Sequence, residues 1–253
     1  MIWFKPKYVL YLLAIILITW WSMNVTGIDL RNFAQIGNAI DFVMNRFFPI
    51  EWSLFPRVLQ ASFVTLAVAF LGAFIALLLA LPLSFMAARN TSSHSFFYGF
   101  TRISLSGLRS VPEIVFGIIF VVALGLGPFP AVLAIMLHNI GVLGKLISEL
   151  IEAADLGPQE AMKTVGATRW VSVLFSILPQ IWPNVLSHYF YRFEVAIRTS
   201  LILGFIGGGG IGQLLFNHFH SFYYTAVALD ILMIMALVIA IDFIGSFVRK
   251  RVI

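Results

Sequence analysis

The chain contains no cysteine, which excludes disulfides, thiolate metal centres and thiol nucleophiles together. Charge is scarce as well. Asp, Glu, Lys and Arg make up 11% of the 253 residues, against about 25% in a soluble globular domain. There is no G-x-x-x-x-G-K-[ST] phosphate loop: "GVLGK" at Gly141 to Lys145 lacks both the loop length and the hydroxyl residue. No repeat of helix pairs and no low-complexity tract occurs. Apolar residues fill 60% of the sequence, and that abundance excludes the soluble classes and points to an all-α integral membrane protein.

Six apolar segments, at roughly 8 to 24, 57 to 88, 109 to 126, 130 to 148, 171 to 200 and 222 to 248, approach or exceed the length needed to cross a bilayer. The basic start "MIWFKPKY" precedes the first of them and no small-x-small cleavage site follows it, so an uncleaved first helix is expected. Placing both termini in the cytoplasm puts Lys5, Lys7, Arg89, Arg102, Arg109, Lys145, Lys163, Arg169, Arg249, Lys250 and Arg251 inside. Arg31, Arg46, Arg57, Arg192 and Arg198 are then outside, and this asymmetry obeys the positive-inside rule. It also explains the net charge of +5 without invoking nucleic acid. The polar stretch from Val25 to Pro56, with Asp29, Asp41 and Glu51, lies outside in this arrangement. The expected organisation is a first helix with its outer loop over residues 1–56 and a five-helix core over 57–253.

A cytoplasmic segment rich in helix formers, about 149–169, separates the fourth and fifth spans. Gly157 and Pro158 interrupt it, and Pro158 suits the first turn of a short helix from about Gln159 to Val165, ended by Gly166. Glu160 then sits where the helix dipole favours a carboxylate. Pro179 and Pro183 are expected to bend the fifth span, and Pro82 to break the second near its inner end.

From Glu160, "EAMKTVGATRWVSVLFSILP" resembles the coupling signature of the membrane subunits of bacterial ATP-binding-cassette importers. Glu160, Ala161, Gly166, Leu178 and Pro179 match at the right spacing, while Met162 replaces the second alanine and Ser176 the usual isoleucine. With "RSVPEIVFGIIFVVALGLGPF" and "YRFEVAIRTSLILGFIGGGGIG", the chain is similar to permeases of phosphonate importers, within a group that includes methionine and phosphite systems. The resemblance implies a type I importer permease of six transmembrane helices in a bacterial inner membrane, paired with a second copy of itself. It further implies two separate ATPase subunits that carry ATP and Mg, a soluble binding protein outside, and no cofactor in this chain. Glu160, Ala161, Lys163, Gly166, Leu178 and Pro179 become the ATPase-coupling residues.

"GFIGGGGIGQ" fits G-x-G-x-x-G from Gly207, but a dinucleotide loop needs a strand before it, and a membrane context surrounds it here. Gly207, Gly208, Gly209 and Gly210 are therefore read as a re-entrant hinge near the outer face, beside the gate. Glu194 and Arg198 are spaced for a local ion pair at the outer end of a helix, and Arg192 is read as a free cation at the outer mouth. Arg192, Glu194 and Arg198 are the pathway candidates. Glu113 is expected to pair with Arg109. Asp230 should face the bundle, Asp242 should reach polar surroundings, and His218 and His220 have no carboxylate nearby in the sequence, so no metal is expected. The acids within spans also motivate an alternative, an ion-coupled secondary carrier, which would be expected to show inverted repeats.

Overall fold

A computed structural model of the chain describes residues 6–27 and 36–252. Lys5, Asp29 and Arg31 lie outside the described residues, as do the side chains of Arg249 and Arg251. Contacts divide the chain after Phe48. The first unit carries helix α1 (Pro6–Thr26), long and apolar enough to span, and α2 (Ile36–Arg46), a short helix within the stretch read as an outer loop.

The second unit opens with a 3₁₀ turn, Trp52–Leu54, and then α3 (Phe55–Met86), α4 (Ser95–Ser110), α5 (Glu113–Leu124) and α6 (Pro128–Ala153). A short α7 (Gly157–Thr164) follows, then α8 (Arg169–Ser172), a π-helical turn at Val173–Ile177, and α9 (Leu178–Phe205). Helices α10 (Gly210–His220) and α11 (Tyr224–Val252) complete it. No strand occurs among the described residues. Among the described residues five stretches are long and apolar enough to cross a membrane, and α4 with α5 makes a sixth if that bent pair is one span.

The bend between α4 and α5 is 85°, whereas the expected third span begins at 109, with no break at Pro112 and no helix before it. Its cause is local. Pro112 has no amide proton, and its ring pushes Val111 into extended backbone (φ −88, ψ 122), so α4 stops at Ser110. Arg109, expected at the cytoplasmic edge, instead packs its backbone against Gly141, where an added Cβ would lie 2.6 Å from the Arg109 nitrogen. Gly141 stands twelve residues before the end of α6 at Ala153, about 18 Å along the helix axis.

Small residues let the helices approach this closely. In a bilayer, packing and interhelical hydrogen bonds hold helices together, because lipid tails are as apolar as leucine. Helix α3 turns Ala69, Gly72, Ala73, Ala76 and Ala80 inward, all buried, onto Ala131, Ala134 and Ile135 of α6. A Cβ on Gly72 would come within 2.7 Å of the Ile135 side chain, and one on Gly144 within 2.7 Å of Leu105. Valine at Gly72 should therefore lower thermal stability in detergent by about 1–3 kcal/mol, whereas alanine at Gly107, which faces open space, should not.

Proline acts more mildly than expected in the long helices. Helix α3 continues past Pro82 to Met86, and α9 continues through Pro183. Pro179 falls in the first turn of α9, where its missing N–H is tolerated, and the irregularity lies before it, in the π turn. One end of the bundle is fastened by Glu152, which accepts from Arg102 at 2.8 Å and from the Arg89 amide at 3.0 Å. Asn90 donates to the Ile151 carbonyl at 2.6 Å in the same layer. At the other end Glu51 accepts from the Ser53 hydroxyl. That bond and the Tyr223 hydroxyl hold its carboxyl below the ordinary range.

Candidate translocation and coupling sites

The residues expected to couple to the ATPase lie on a small unit that follows the end of α6 and on the start of α9. Asp155 Oδ1 accepts from the Gly157 amide at 2.9 Å and so sets the start of α7. Pro158 occupies the first turn, and Glu160 stands near the positive end of the helix dipole. Gly166 ends the unit at φ +81, its amide donating to the Lys163 carbonyl at 3.0 Å, a left-handed turn that suits glycine. Helix α7 falls close to the short helix expected from about Gln159 to Val165, while the first residues of the 149–169 segment belong to α6, which runs on to Ala153.

Glu160, Ala161, Lys163 and Gly166 are exposed, and so are Val165 and Trp170, at 79% and 64%. Leu178 is half-buried and Pro179 exposed at the base of α9. The α7 unit is joined to that base by a residue the sequence reading passed over. Gln180 accepts from the Asp155 amide at 3.0 Å and donates to the Asp155 carbonyl at 3.2 Å and the Ser176 carbonyl at 2.7 Å. One carboxamide thus ties the loop before α7, the π turn and α9 together. Its place directly after the "LP" of the coupling signature was the available signal. Ser172 and the buried Gln159 add a second tie, with the hydroxyl donating to the Gln159 carbonyl at 3.2 Å.

The pathway candidates separate. Arg192 is not a free outer cation: its Nε donates to Asn139 Oδ1 at 2.6 Å, in the middle of α6, and Glu113 lies within electrostatic reach. Glu113 does not pair with Arg109. It accepts from the Thr199 hydroxyl at 2.8 Å and faces His138 Nε2 at 3.5 Å. The other ring nitrogen of His138 meets the Val111 carbonyl at 3.0 Å, the group orphaned by the α4–α5 break. Arg192, Asn139, Glu113, His138 and Thr199 therefore form one polar core inside the bundle, drawn from α5, α6 and α9. Ionisable groups at such depth mark substrate or ion paths more often than they stabilise a fold.

Arg198 makes the expected bond to Glu194 at 3.0 Å, but it is not confined to an outer helix end. It also donates to both carboxylate oxygens of Asp242 on α11, at 3.0 and 3.2 Å. His218 likewise has a carboxylate, because Asp230, distant in the sequence, reaches its Nδ1 at 2.6 Å. No group of three metal-ligating side chains occurs among the described residues.

The glycine run ends α9 and starts α10. Gly207, Gly209 and Gly210 have φ of 97, 79 and 72, and they reverse the chain so that α10 folds back on α9. A Cβ on Gly208 would lie 2.7 Å from the Leu203 carbonyl oxygen. The Gly207 carbonyl accepts from Gly127 in the α5–α6 turn at 2.8 Å, and Thr65 of α3 caps α10 by accepting from the Ile211 amide at 3.0 Å. Every freed backbone group named here is met by protein, as irregular backbone at membrane depth requires.

A helical bundle that buries an ionisable core among its spans and extends a polar helix from one end has the architecture of a membrane transport protein. The chain belongs to the family of binding-protein-dependent transport system inner membrane components, whose model matches residues 80–253. It is 39% identical over 203 residues to a phosphite transport system permease protein of Stutzerimonas stutzeri, covering 80% of this chain and 74% of that one. It is 33% identical over 221 residues to a phosphate-import permease protein of Mycolicibacterium smegmatis, covering 87% of this chain and 41% of that longer one. Its fold matches the inward-facing MetNI methionine ABC transporter with a TM-score of 0.70 at 19% identity, over 81% of this chain and all of that one. The protein is the permease subunit of an ATP-driven, binding-protein-dependent importer in a bacterial inner membrane. Its family works with ATPase and solute-binding partners.

Proposed function

We propose that the chain carries phosphonate or a related phosphorus oxyanion across the membrane by alternating access, as a homodimer driven by two separate ATPase subunits that hold ATP and Mg. In this reading the chain has no ATPase site of its own and no cofactor. The substrate class follows from the sequence resemblance and from relatives whose names specify phosphite and phosphate. The coupling mechanism rests on one observation, the Gln180 clamp that joins the α7 unit to the π turn and α9.

Docking of α7, through Ala161, Val165 and the charged Glu160 and Lys163, moves a lever whose other arm is α9. Because α9 carries Arg192, Glu194 and Arg198 and ends at the glycine hinge, closure of the ATPases is transmitted to the polar core and to Gly207 to Gly210. A ligand-driven change of this kind requires different contacts in the two states, and Arg192 supplies them if an oxyanion replaces Glu113 as its counter-charge. The acids that motivated an ion-coupled carrier are each engaged: Glu113 with His138, Asp230 with His218, and Asp242 with Arg198.

Vesicles containing the chain should take up a phosphorus oxyanion only when the ATPase, ATP and the binding protein are all present. Gln180→Leu should cut uptake by about tenfold by removing hydrogen bonds between lever and bundle, while leaving α7 free to bind the ATPase in co-purification. Uptake by the isolated chain down an ion gradient would refute the proposal.

A further inference from the structure

Apart from the polar core, a pocket of about 330 Å³ lies between α3 and α10, within the size range of small-ligand sites. Arg57 and Gln60 face it from the first turns of α3, Gln213 and Asn217 from α10, and Gly210 borders it. The helical spacings, three and four residues, place each pair on one face. Among the described residues no hydrogen bond within the protein engages any of these four polar side chains. Their donors are therefore free to meet a ligand.

The charge pattern decides which ligand. The pocket lining contains one cation and three carboxamides, and no carboxylate. Asp230 lies within electrostatic reach of Arg57, but it is fully buried and held by His218, so it offers no acceptor surface to the pocket. A guanidinium presents paired N–H donors that match two oxygens of a tetrahedral oxyanion, and carboxamide N–H groups can take the remaining oxygens. Val64 and Leu214 add apolar surface beside these donors, suited to an organic substituent on phosphorus. A single cation in an open, wet pocket also holds an anion weakly enough to release it.

We propose that the α3–α10 pocket is the receiving site for the transported phosphorus oxyanion as it leaves the binding protein, with Arg57 clamping two oxygens and Gln60, Gln213 and Asn217 completing the cradle. The proposal rests on the importer reading above and assigns the first contact of the cargo with the membrane subunit. The α10 hinge then forms part of this site, since Gly210 lies in both.

The test uses the complex of the full chain with its ATPase subunits in phosphate-free maltoside detergent, with methylphosphonate and phosphite as probes followed by phosphorus NMR line broadening. The wild-type complex should broaden both signals. Arg57→Gln should weaken binding by roughly ten- to a hundredfold, the range for loss of a charged hydrogen-bonding partner. Arg57→Lys should restore part of it, and Gln213→Leu should weaken it less. Co-purification with the ATPase establishes that each variant is assembled. Equal broadening by wild type and Arg57→Gln overturns the proposal. So does displacement by short-chain phosphatidylglycerol with no binding of the free oxyanions, which would make the pocket a headgroup site. Loss of binding-protein capture by Arg57→Gln with unchanged oxyanion binding would make it a protein contact and also overturns the proposal. Wild-type vesicles that import no phosphorus oxyanion would refute the transport reading separately, since the NMR result judges the pocket alone.

Discussion

Replacing Gly212 with valine is expected to lower oxyanion uptake by roughly tenfold or more, given that overpacking of a rigid contact costs about 1–3 kcal/mol and at times more. Gly212 lies where α10 folds back on α9, and a Cβ there would collide with the Leu201 carbonyl oxygen and stand 2.9 Å from its carbon. The obstacle is backbone, so no side-chain rotation relieves it. The reciprocal position is equally tight: a Cβ on Gly204 would lie 2.7 Å from the Gln213 nitrogen and 2.8 Å from the Gly212 Cα. Alanine at Gly212 is already too large, and valine forces the two helices apart.

Separation has consequences on the far side of α10. Thr65 accepts from the Ile211 amide at 3.0 Å, and Gly210 and Gln213 line the pocket against α3. Displacing α10 from α9 therefore disturbs both the cap and the receiving site. The α7 unit is built from Asp155, Gly166 and Gln180, none of which touches α10 in the hydrogen bonds described above, so ATPase binding should survive. Uptake and co-purification measured on the same preparation check both halves of this expectation. Undiminished uptake by Gly212→Val, or loss of ATPase binding in step with uptake, would show that α10 has no separate role. Gly99→Ala, on α4 with nothing within 4 Å, is the matched control and should transport normally.

Sequence legibility tracked the range of the interaction. The α7 unit was readable because its determinants are adjacent: Gly157 and Pro158 start it, Gly166 ends it, and the dipole places Glu160. The glycine run was readable as a break between apolar spans because one precedes it and another follows. Positive φ at Gly207, Gly209 and Gly210 fits the chain reversal there, although the collision partners Leu126, Leu203 and Pro128 were not visible. Pro112 was a local signal that went unread, since a hydropathy window measures length and is blind to direction.

The depth of the charges was misjudged for a different reason. The positive-inside rule sorts loop residues between two sides and has no place for an arginine inside the bundle. Arg192 was counted as outer, yet Asn139 holds it near the middle of α6. The partner lies 53 residues away, and no periodicity within α9 points to it. The His218 pair escaped notice in the same way, because its carboxylate is supplied by the next helix.

That pair carries the second large expectation: His218→Ala should destabilise the protein by about 1–3 kcal/mol, the usual cost of leaving a buried polar group without its hydrogen-bond partner. Asp230 is completely buried, and its Oδ2 is held by His218 Nδ1 at 2.6 Å, while Oδ1 has no hydrogen-bond partner among the described residues. Removing the imidazole leaves both carboxylate oxygens without a hydrogen-bond donor from the described side chains. Asp230→Asn should cost less, since a carboxamide is neutral. The double variant His218→Leu with Asp230→Leu should recover much of the loss, because a pair of apolar side chains carries no desolvation penalty. Thermal unfolding in detergent of wild type, His218→Leu, Asp230→Leu and the double variant yields the coupling energy directly, and a His218→Ala protein as stable as wild type would remove the pair from this role. A large coupling means that α10 is held on three sides at once, by α9 through Gly212, by α3 through Thr65 and by α11 through Asp230. A helix so fixed moves with the three it is attached to, and in the proposed mechanism α9 is the one that the lever at Gln180 drives.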